Sequence, residues 1–261
     1  MENNDSKKTV AEYLLSYGYS FEQHKVLTDD NYVLSLWRIP KKLFEKPNHS
    51  IKKQPVLLMH GCLDNGFSWI LKKREENLAM ILVREGYDVW IGNNRGNIRS
   101  LEHIDVKEYD WRLPYNKYWD FSFHEMAIYD FPAMISYIQE ETGFDKVAYV
   151  GHSQGTSLAF IYATFDPQWI NQNLKAFIGF GPALKLNMTP SVFMRIFDLM
   201  QGIGLKNFWV TPFLSEFQGF WSSIYPNWLY SLLVTPVTGV TENMHFDITR
   251  FSVMGANSPG K

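Results

Sequence analysis

The sequence predicts an α/β fold in which a mostly parallel sheet carries helices on both faces. Short apolar runs suited to buried strands alternate with segments of helical periodicity between residues 55 and 179, the pattern of β-α-β units. At 261 residues, with 46% hydrophobic and 20% charged side chains, the chain is long and apolar enough to bury a full core. Its Lys and Arg residues (25) nearly balance its Asp and Glu residues (27), which argues against a nucleic acid or an anionic surface as partner.

The N-terminal part of the chain predicts a hairpin. Residues 23–28 and 32–39 have the composition of strands, and the polar residues 29–31 between them favour a turn. Residues 40–54 are rich in Lys, Pro and Asn, which is typical of an exposed connection. The continuous apolar run at residues 55–59 then predicts a buried strand, where the central sheet begins.

The next segments repeat a helix-then-strand rhythm. Residues 77–85 have helical spacing and end at Gly86, and residues 87–91 predict the following strand. Residues 121–141 predict a helix, although Pro132 lies inside it. The remaining predicted elements are a strand at residues 146–150, a helix at residues 156–163 and a strand at residues 174–179.

Residues 151–155 read Gly-His-Ser-Gln-Gly and lie between a predicted strand and a predicted helix. The two glycines leave room for a sharp strand-to-helix turn, which holds a serine hydroxyl exposed at the tip of a sheet beside a helix N-terminus. Because the strand, the motif and the helix occur in this order, Ser153 is the candidate nucleophile.

Acyl transfer also needs hydrogen-bond donors for the oxyanion that develops on the carbonyl. In an elbow of this type one donor is the backbone N–H after the nucleophile, which here belongs to Gln154. The other comes from the loop after the strand at residues 55–59, which begins His60-Gly61-Cys62, and Cys62 is the candidate for its backbone donor. We expect the Cys62 thiol itself to be a small buried hydrophobe and not a nucleophile.

The base of a catalytic triad is harder to assign. In this architecture the usual order is serine, then acid, then histidine, and His245 is the one histidine that follows the motif. Pairing His245 with an acid would require Asp166 or Asp198. His152 adjoins the nucleophile, and neighbouring side chains point apart at such a turn, so it is a poor candidate.

Other polar residues near these elements favour structural roles. Residues 92–97 form a glycine-rich turn in which Arg95 is expected to make a buried ion pair, and no Lys-Ser/Thr follows to suggest a phosphate site. We expect Asp120, Glu125 and Asp130 to cap and solvate a helix.

The alternation breaks after residue 182, where residues 188–228 are dense in Phe, Trp and Met. For any single one of these aromatics, the expected role is to form the buried face of a short helix that packs on the core. As a set, placed after the carboxyl end of a strand, they predict a helical cap that covers the site and binds acyl chains. The predicted division is a core at residues 1–182, with an N-terminal segment and hairpin at 1–54, a cap at 183–250 and the start of a return to the core at 251–261.

Several stretches resemble the acid lipase family of α/β-hydrolases, which includes gastric and lysosomal acid lipases and steryl ester hydrolases. The resemblance covers most of the chain. Its clearest motifs are residues 57–61, 86–97, 118–130 and 149–156, together with the opening segment at residues 13–40.

This resemblance implies an α/β-hydrolase fold and the hydrolysis of neutral lipid esters, either triacylglycerols or steryl esters, through an acyl-enzyme on Ser153. It supports Gln154 and Cys62 as backbone oxyanion donors, although the family more usually has leucine at position 62. A lipid–water interface is a possible place of action.

The family has its catalytic aspartate and histidine beyond the cap, on loops after later strands. Residues 247–260 resemble the end of the cap region, so we expect the acid, the base and the final strands to lie beyond this chain. The resemblance then speaks against His245 as the base, and this chain alone is expected to be poorly active. The open explanations are an incomplete copy of a longer lipase, which we favour, a truncated reading frame, and a noncatalytic protein that binds lipid or a partner.

Composition adds a few expectations about cofactors and location. One cysteine excludes an internal disulfide, and no paired Cys/His spacing suggests a metal site, so no metal and no cofactor are implied. No apolar run reaches transmembrane length. The run at residues 10–15 is too short for a signal peptide, which favours an intracellular location, although related lipases are secreted, lysosomal or associated with lipid droplets.

Overall fold

The structure is a computed structural model, which describes residues 8–45, 52–62, 64–71, 77–106 and 117–184. The described residues within Thr9–Tyr109 and Asp120–Leu184 form one compact unit. Of the predicted cap at residues 183–250, everything after residue 184, including Asp198 and His245, lies outside the described residues, as does the predicted return to the core at residues 251–261.

Seven strands form one sheet within the described part of the chain. They are β1 (Glu22–Leu27), β2 (Tyr32–Ile39), β3 (Pro55–Met59), β4 (Asp88–Gly92), β5 (Glu102–His103), β6 (Val147–His152) and β7 (Leu174–Phe180). The order across the sheet is β1-β2-β4-β3-β6-β7, and β5 pairs with β2. Strands β4, β3, β6 and β7 pair in parallel, whereas β1, β2 and β5 pair antiparallel, so the predicted mostly parallel sheet is confirmed.

One helix precedes the strands, and the others lie between them in the chain, at the predicted positions except for α6. They are α1 (Val10–Ser16), α2 (Leu78–Arg84), α3 (Phe123–Glu125), α4 (Phe131–Thr142), α5 (Gln154–Phe165) and α6 (Pro167–Asn173), with 3₁₀ helices at Gly66–Ile70 and Lys117–Trp119. Capping residues explain the two α-helices that the periodicity did not predict. Thr9 and Glu12 form a capping box at α1, and the Asp166 side chain accepts the Trp169 N–H at the start of α6.

Helices cover both faces of the sheet. Neighbouring strand residues point to opposite faces, and in β4 the Trp90 ring meets Tyr137 of α4 with the ring centroids 6.4 Å apart. The next residue, Ile91, lies against Gly66 of the 3₁₀ helix, because a Cβ added at that glycine would be 2.7 Å from Ile91 Cγ2. The core of the sheet is therefore closed on the two sides by different helices.

The segment predicted as one helix at residues 121–141 is interrupted. A π turn at Met126–Asp130 separates α3 from α4, and the Phe131 N–H bonds the Met126 carbonyl five residues back. Pro132 explains the interruption, because it has no N–H to donate to the carbonyl four residues before it. The predicted helix is therefore confirmed over residues 123–142, with this π turn inside it as the feature that the sequence did not indicate.

Candidate active site

Ser153 occupies a strained turn between β6 and α5. Its backbone dihedrals are φ 49° and ψ −113°, a positive φ that is costly for any residue with a Cβ. The side chain is half-buried, and within the described ranges its hydroxyl makes no hydrogen bond. This is the geometry in which a strand-to-helix turn presents a serine hydroxyl at the carboxyl edge of a parallel sheet.

The two glycines of the motif have separate steric reasons. A Cβ on Gly151 would lie 2.7 Å from the backbone carbonyl carbon and oxygen of Gly155. A Cβ on Gly155 would lie 2.7 Å from the backbone oxygen of Met59, at the end of β3. The first glycine therefore lets α5 fold back on β6, and the second lets α5 approach β3.

Hydrogen bonds hold the strained turn in place. The Ser153 N–H donates to the Phe180 carbonyl of β7 at 2.9 Å. The Ser153 carbonyl accepts the Thr156 N–H at 2.9 Å and the Thr156 hydroxyl at 2.6 Å. The same hydroxyl oxygen accepts the Ala183 N–H at 3.0 Å, so the chain after β7 is tied to the first turn of α5.

Gln154 is the first residue of α5, where backbone N–H groups have no partner inside the helix. Within the described ranges no acceptor takes its N–H. Its side chain is buried and donates from Nε2 to Met126 Sδ at 2.9 Å, so it points toward the π turn. The backbone amide is thus left for a ligand, as the sequence predicts for an oxyanion donor, and that role stays a prediction.

The loop after β3 lies directly against Ser153, the candidate nucleophile. A Cβ added at Gly61 would be 3.3 Å from Ser153 Cβ and 3.0 Å from His152 Nδ1. Cys62 follows in this loop and is exposed, so the expectation that its thiol is a small buried hydrophobe is wrong. The structure brings the Cys62 segment and Ser153 together, and the role of the Cys62 amide stays a prediction.

Two titratable residues of the same loop have unusual environments. Burial lowers the pKa of His60 to about 4, an effect that the hydrogen bond with the Gly61 carbonyl opposes and nearby His152 reinforces. Burial raises the pKa of Asp64 to about 7, against the opposing hydrogen bonds from Asn65 and Ser68. His60 is therefore neutral at pH 7, although its order in the sequence excluded it as the base and left its role unpredicted.

The loop after β4 is anchored by a buried ion pair. Arg95 is fully buried, donates its backbone N–H and its Nε to Asp130 at 2.9 and 2.7 Å, and donates from Nη2 to Asp30 at 2.8 Å. Its guanidinium carbon also lies 3.9 Å from the centroid of the Tyr32 ring. Although burial lowers the pKa of Arg95, the two carboxylates outweigh it and hold that pKa above its ordinary value.

These contacts test the predicted roles of the acidic residues. The predicted buried ion pair of Arg95 is confirmed. The expectation that Asp130 caps and solvates a helix is wrong, because its carboxylate is completely buried against Arg95. Glu125 does cap: its carboxylate accepts the N–H of Ser122 at 2.6 Å in a capping box at α3.

Asp166 is not positioned as a triad acid. It caps the N-terminus of α6 directly after α5, whereas Ser153 directly precedes α5. The 12 residues of α5 span about 18 Å at 1.5 Å per residue. The possible pairing of Asp166 with a base beside Ser153 is therefore contradicted, and Asp198 and His245 lie outside the described residues.

The described ranges hold no cluster of three or more His, Cys, Asp or Glu side chains arranged to bind a metal ion. Among those same residues, no helix has the length and apolar character that crossing a membrane requires.

Comparison with known proteins identifies the family. A family model described as the alpha/beta hydrolase fold matches residues 54–220, and a model described as a partial alpha/beta-hydrolase lipase region matches residues 10–73. The chain is 34% identical over 265 residues to gastric triacylglycerol lipase of Bos taurus, which covers 99% of this chain and 65% of that protein. It is 35% identical over 201 residues to lipase member K of Homo sapiens, with 77% of this chain and 49% of that protein covered.

A third relative is lysosomal acid lipase/cholesteryl ester hydrolase of Macaca fascicularis, 35% identical over 196 residues that cover 74% of this chain and 47% of that protein. The chain thus spans about two thirds of the bovine gastric lipase and about half of the other two relatives. The hydrolase-fold model covers more than half of the chain, and the strained elbow and the parallel sheet agree with it. The chain belongs to the α/β-hydrolase family, and the relatives that it resembles within that family are gastric and lysosomal acid lipases.

Proposed function

We propose that this protein is a serine hydrolase of neutral lipid esters, triacylglycerols or steryl esters, that acts through an acyl-enzyme on Ser153. The observation that carries the proposal is the Ser153 turn: a positive-φ serine at the tip of β6, with the Gly61 loop against its Cβ. A nucleophile with an adjacent oxyanion loop is what acyl transfer needs. The names of the relatives, gastric triacylglycerol lipase and lysosomal acid lipase/cholesteryl ester hydrolase, support the ester class.

The apolar surroundings of the nucleophile favour an uncharged substrate. The carbonyl that accepts the Ser153 N–H belongs to Phe180, whose ring centroid lies 6.4 Å from that of Trp69. Met126 is held beside Gln154. Aromatic and thioether groups bind acyl chains through apolar contact, whereas an anionic ester would lose its hydration without gaining a cation from these side chains.

We place the acid and the base of the triad outside the described residues, because no described side chain bonds the Ser153 hydroxyl. Action at a lipid–water interface belongs to the same proposal. It predicts that the hydrolysis rate of a short triacylglycerol rises when its concentration exceeds its solubility and droplets form.

The direct test uses a fluorophosphonate probe, which reacts with activated serines, together with release of fatty acid from tributyrin and from a cholesteryl ester in micelles. We expect weak labelling and release with the wild-type chain, in line with the low activity that the resemblance predicts for this chain alone, and neither with Ser153→Ala. Ser157→Ala is the matched control. Ser157 lies near the start of the same helix, and its hydroxyl is already engaged, since it donates to the Ala183 carbonyl at 2.6 Å. Labelling that persists in Ser153→Ala would contradict the proposed nucleophile.

The position of the base has its own test. Because the resemblance speaks against His245, we expect His245→Ala to leave the labelling and release rates unchanged. A loss of both would make His245 the base. A chain that binds lipid yet neither reacts with the probe nor releases fatty acid would favour the noncatalytic alternative.

A further inference from the structure

His60 connects the loop after β3 to the loop after β4. Its side chain is 3% exposed and makes three contacts at hydrogen-bond distance. His60 Nδ1 lies 2.8 Å from the Gly61 carbonyl oxygen, and Nε2 lies 3.2 Å from the Asn94 backbone nitrogen and 3.1 Å from Asn97 Nδ2. Both ring nitrogens are therefore engaged.

These partners determine which ring nitrogen of His60 carries the proton. The Asn94 N–H can only donate. The Asn97 amide oxygen is already committed, since it accepts the Arg99 N–H at 2.7 Å, so the Asn97 NH₂ group faces His60. Nε2 thus accepts two hydrogen bonds, and the single proton of the neutral ring lies on Nδ1, from which it is donated to the Gly61 carbonyl.

The Gly61 carbonyl and the Cys62 N–H belong to the same peptide group. A trans peptide is planar, and its C=O and N–H bonds point in opposite directions. Fixing the carbonyl toward the buried His60 ring therefore fixes the direction of the Cys62 N–H away from it. Because Gly61 has no side chain, its own dihedrals restrain this peptide group less than those of any other residue would.

We propose that His60 is a positioning residue of the oxyanion loop: by holding the Gly61 carbonyl, it directs the Cys62 amide hydrogen toward an ester carbonyl attacked by Ser153. The ring does not touch the substrate and acts through the peptide group between Gly61 and Cys62. This inference rests on the proposed function for its catalytic consequence, and on the hydrogen bonds of His60 for its geometry.

The loop that donates to His60 is itself anchored. Arg95, which lies between the two asparagine donors in sequence, is bonded to Asp130 through its backbone N–H and its guanidinium. The position of Nε2 is therefore set by a fixed part of the structure. A side chain that orients a neighbouring peptide group must itself be held in one position.

Two conservative variants test the contacts of the two ring nitrogens separately. In His60→Asn the amide nitrogen reaches the position of Nδ1 and can still donate to the Gly61 carbonyl, while the contacts of Nε2 are lost. In His60→Gln the amide oxygen reaches the position of Nε2 and keeps the contacts to the β4 loop, while the donor to Gly61 is lost. A residue that merely anchors the two loops would respond in the same way to both changes.

We expect His60→Gln to lower kcat for a soluble nitrophenyl ester about 10- to 100-fold with KM little changed, less than the loss of a whole oxyanion donor. The kcat of His60→Asn should stay within about threefold of the wild-type value, even where its Tm falls further. Equal losses of kcat in the two variants, or a smaller loss in His60→Gln, would overturn the proposal.

A measurement that needs no turnover separates this inference from the proposed function. In the full chain labelled with [¹⁵N]histidine and ¹⁵N amides, NMR at pH 7 should show His60 neutral with its proton on Nδ1. The Cys62 amide signal should shift more in His60→Gln than in His60→Asn. A proton on Nε2, a charged ring, or the reverse order of shifts rejects the positioning role, whereas absence of wild-type turnover with the expected spectra rejects only the proposed reaction.

Discussion

Ser153 illustrates how single residues are held in a costly conformation. Its positive φ carries a penalty of roughly 1–3 kcal/mol, which the surrounding contacts must offset. The motif predicted the turn because its two glycines are required by close backbone approach. The acceptor of the Ser153 N–H, the Phe180 carbonyl, could not be predicted, since that contact depends on how β7 pairs with β6.

The Gly155 contact gives a testable consequence at this scale. We expect Gly155→Ala to lower the free energy of unfolding by about 1–3 kcal/mol, because the new methyl group would collide with the Met59 carbonyl, which is backbone and cannot rotate away. The same collision should displace Ser153 and abolish fluorophosphonate labelling. Urea unfolding and labelling measure the two effects.

Gly179→Ala is the matched control for that change. Its added Cβ would be 3.3 Å from Thr156 Cγ2, a side-chain methyl that can adjust, and it lies in β7 beside the same turn. We expect the control to keep labelling and most of the stability. Equal destabilisation by both changes would show that the Met59 contact is not the cause.

His60 shows what sequence reasoning missed at the residue scale. Its position before the candidate nucleophile excluded it as a base, and no sequence motif indicated another role for it. The available signal was its location directly after a buried strand and before a glycine, where a polar side chain has to find partners inside the fold.

At the scale of elements, one ion-pair network connects three segments that are distant in sequence. Arg95 of the β4–β5 loop bonds Asp30 of the β1–β2 turn and Asp130 of the π turn. The sequence predicted a buried partner for Arg95 but assigned Asp130 to the surface of a helix. Periodicity could not show that Pro132 interrupts this helix with a π turn whose last residue, Asp130, faces the arginine.

Removing the Asp130 carboxylate should be strongly destabilising. The substitution Asp130→Ala leaves a completely buried guanidinium with Asp30 as its remaining carboxylate, and breaking a buried pair from one side costs about 3–5 kcal/mol. We expect a loss of that size in the free energy of unfolding by urea. If the double variant Asp130→Ala/Arg95→Met regains part of this lost unfolding free energy, the unpaired charge of Arg95 is the cause.

Asp120→Ala provides the control for this prediction. Asp120 is an exposed carboxylate ten residues earlier in the chain, and its removal should change the unfolding free energy by about 0.5 kcal/mol or less. A loss below about 1 kcal/mol in Asp130→Ala would contradict the assigned importance of the pair.

At the scale of the whole molecule, the strands were predictable because their apolar runs are short, continuous and bounded by turn residues. The order of the strands in the sheet was not predictable, because β4 lies between β2 and β3 although it follows them in sequence. That order brings the loops after β3, β4 and β6 to one edge of the sheet. The turn at Ser153 and the loop that is predicted to supply an oxyanion donor could be recognised in the sequence, whereas the hydrogen bonds between the loops depend on pairings between distant segments.

The free energy of unfolding should depend on pH in a way that shows His60 to be buried as a neutral ring. The folded pKa of about 4 lies below the ordinary value of 6.5. Between these values the unfolded chain binds more protons, so the stability associated with the neutral ring is complete above pH 6.5 and is lost as the pH falls toward 4. A difference of about 2.5 pH units corresponds to about 3 kcal/mol.

The test compares the wild type with His60→Gln, which has no titrating ring. Other groups, including Asp64 with its raised pKa and the neighbouring His152, titrate in both chains and cancel to a first approximation. Urea unfolding from pH 7.5 to pH 4 should therefore show the stability advantage of the wild type shrinking by about 3 kcal/mol, with most of the change below pH 6.5. A constant advantage over this range would mean that His60 has the same proton affinity in both states, and that the ring is not held neutral by burial.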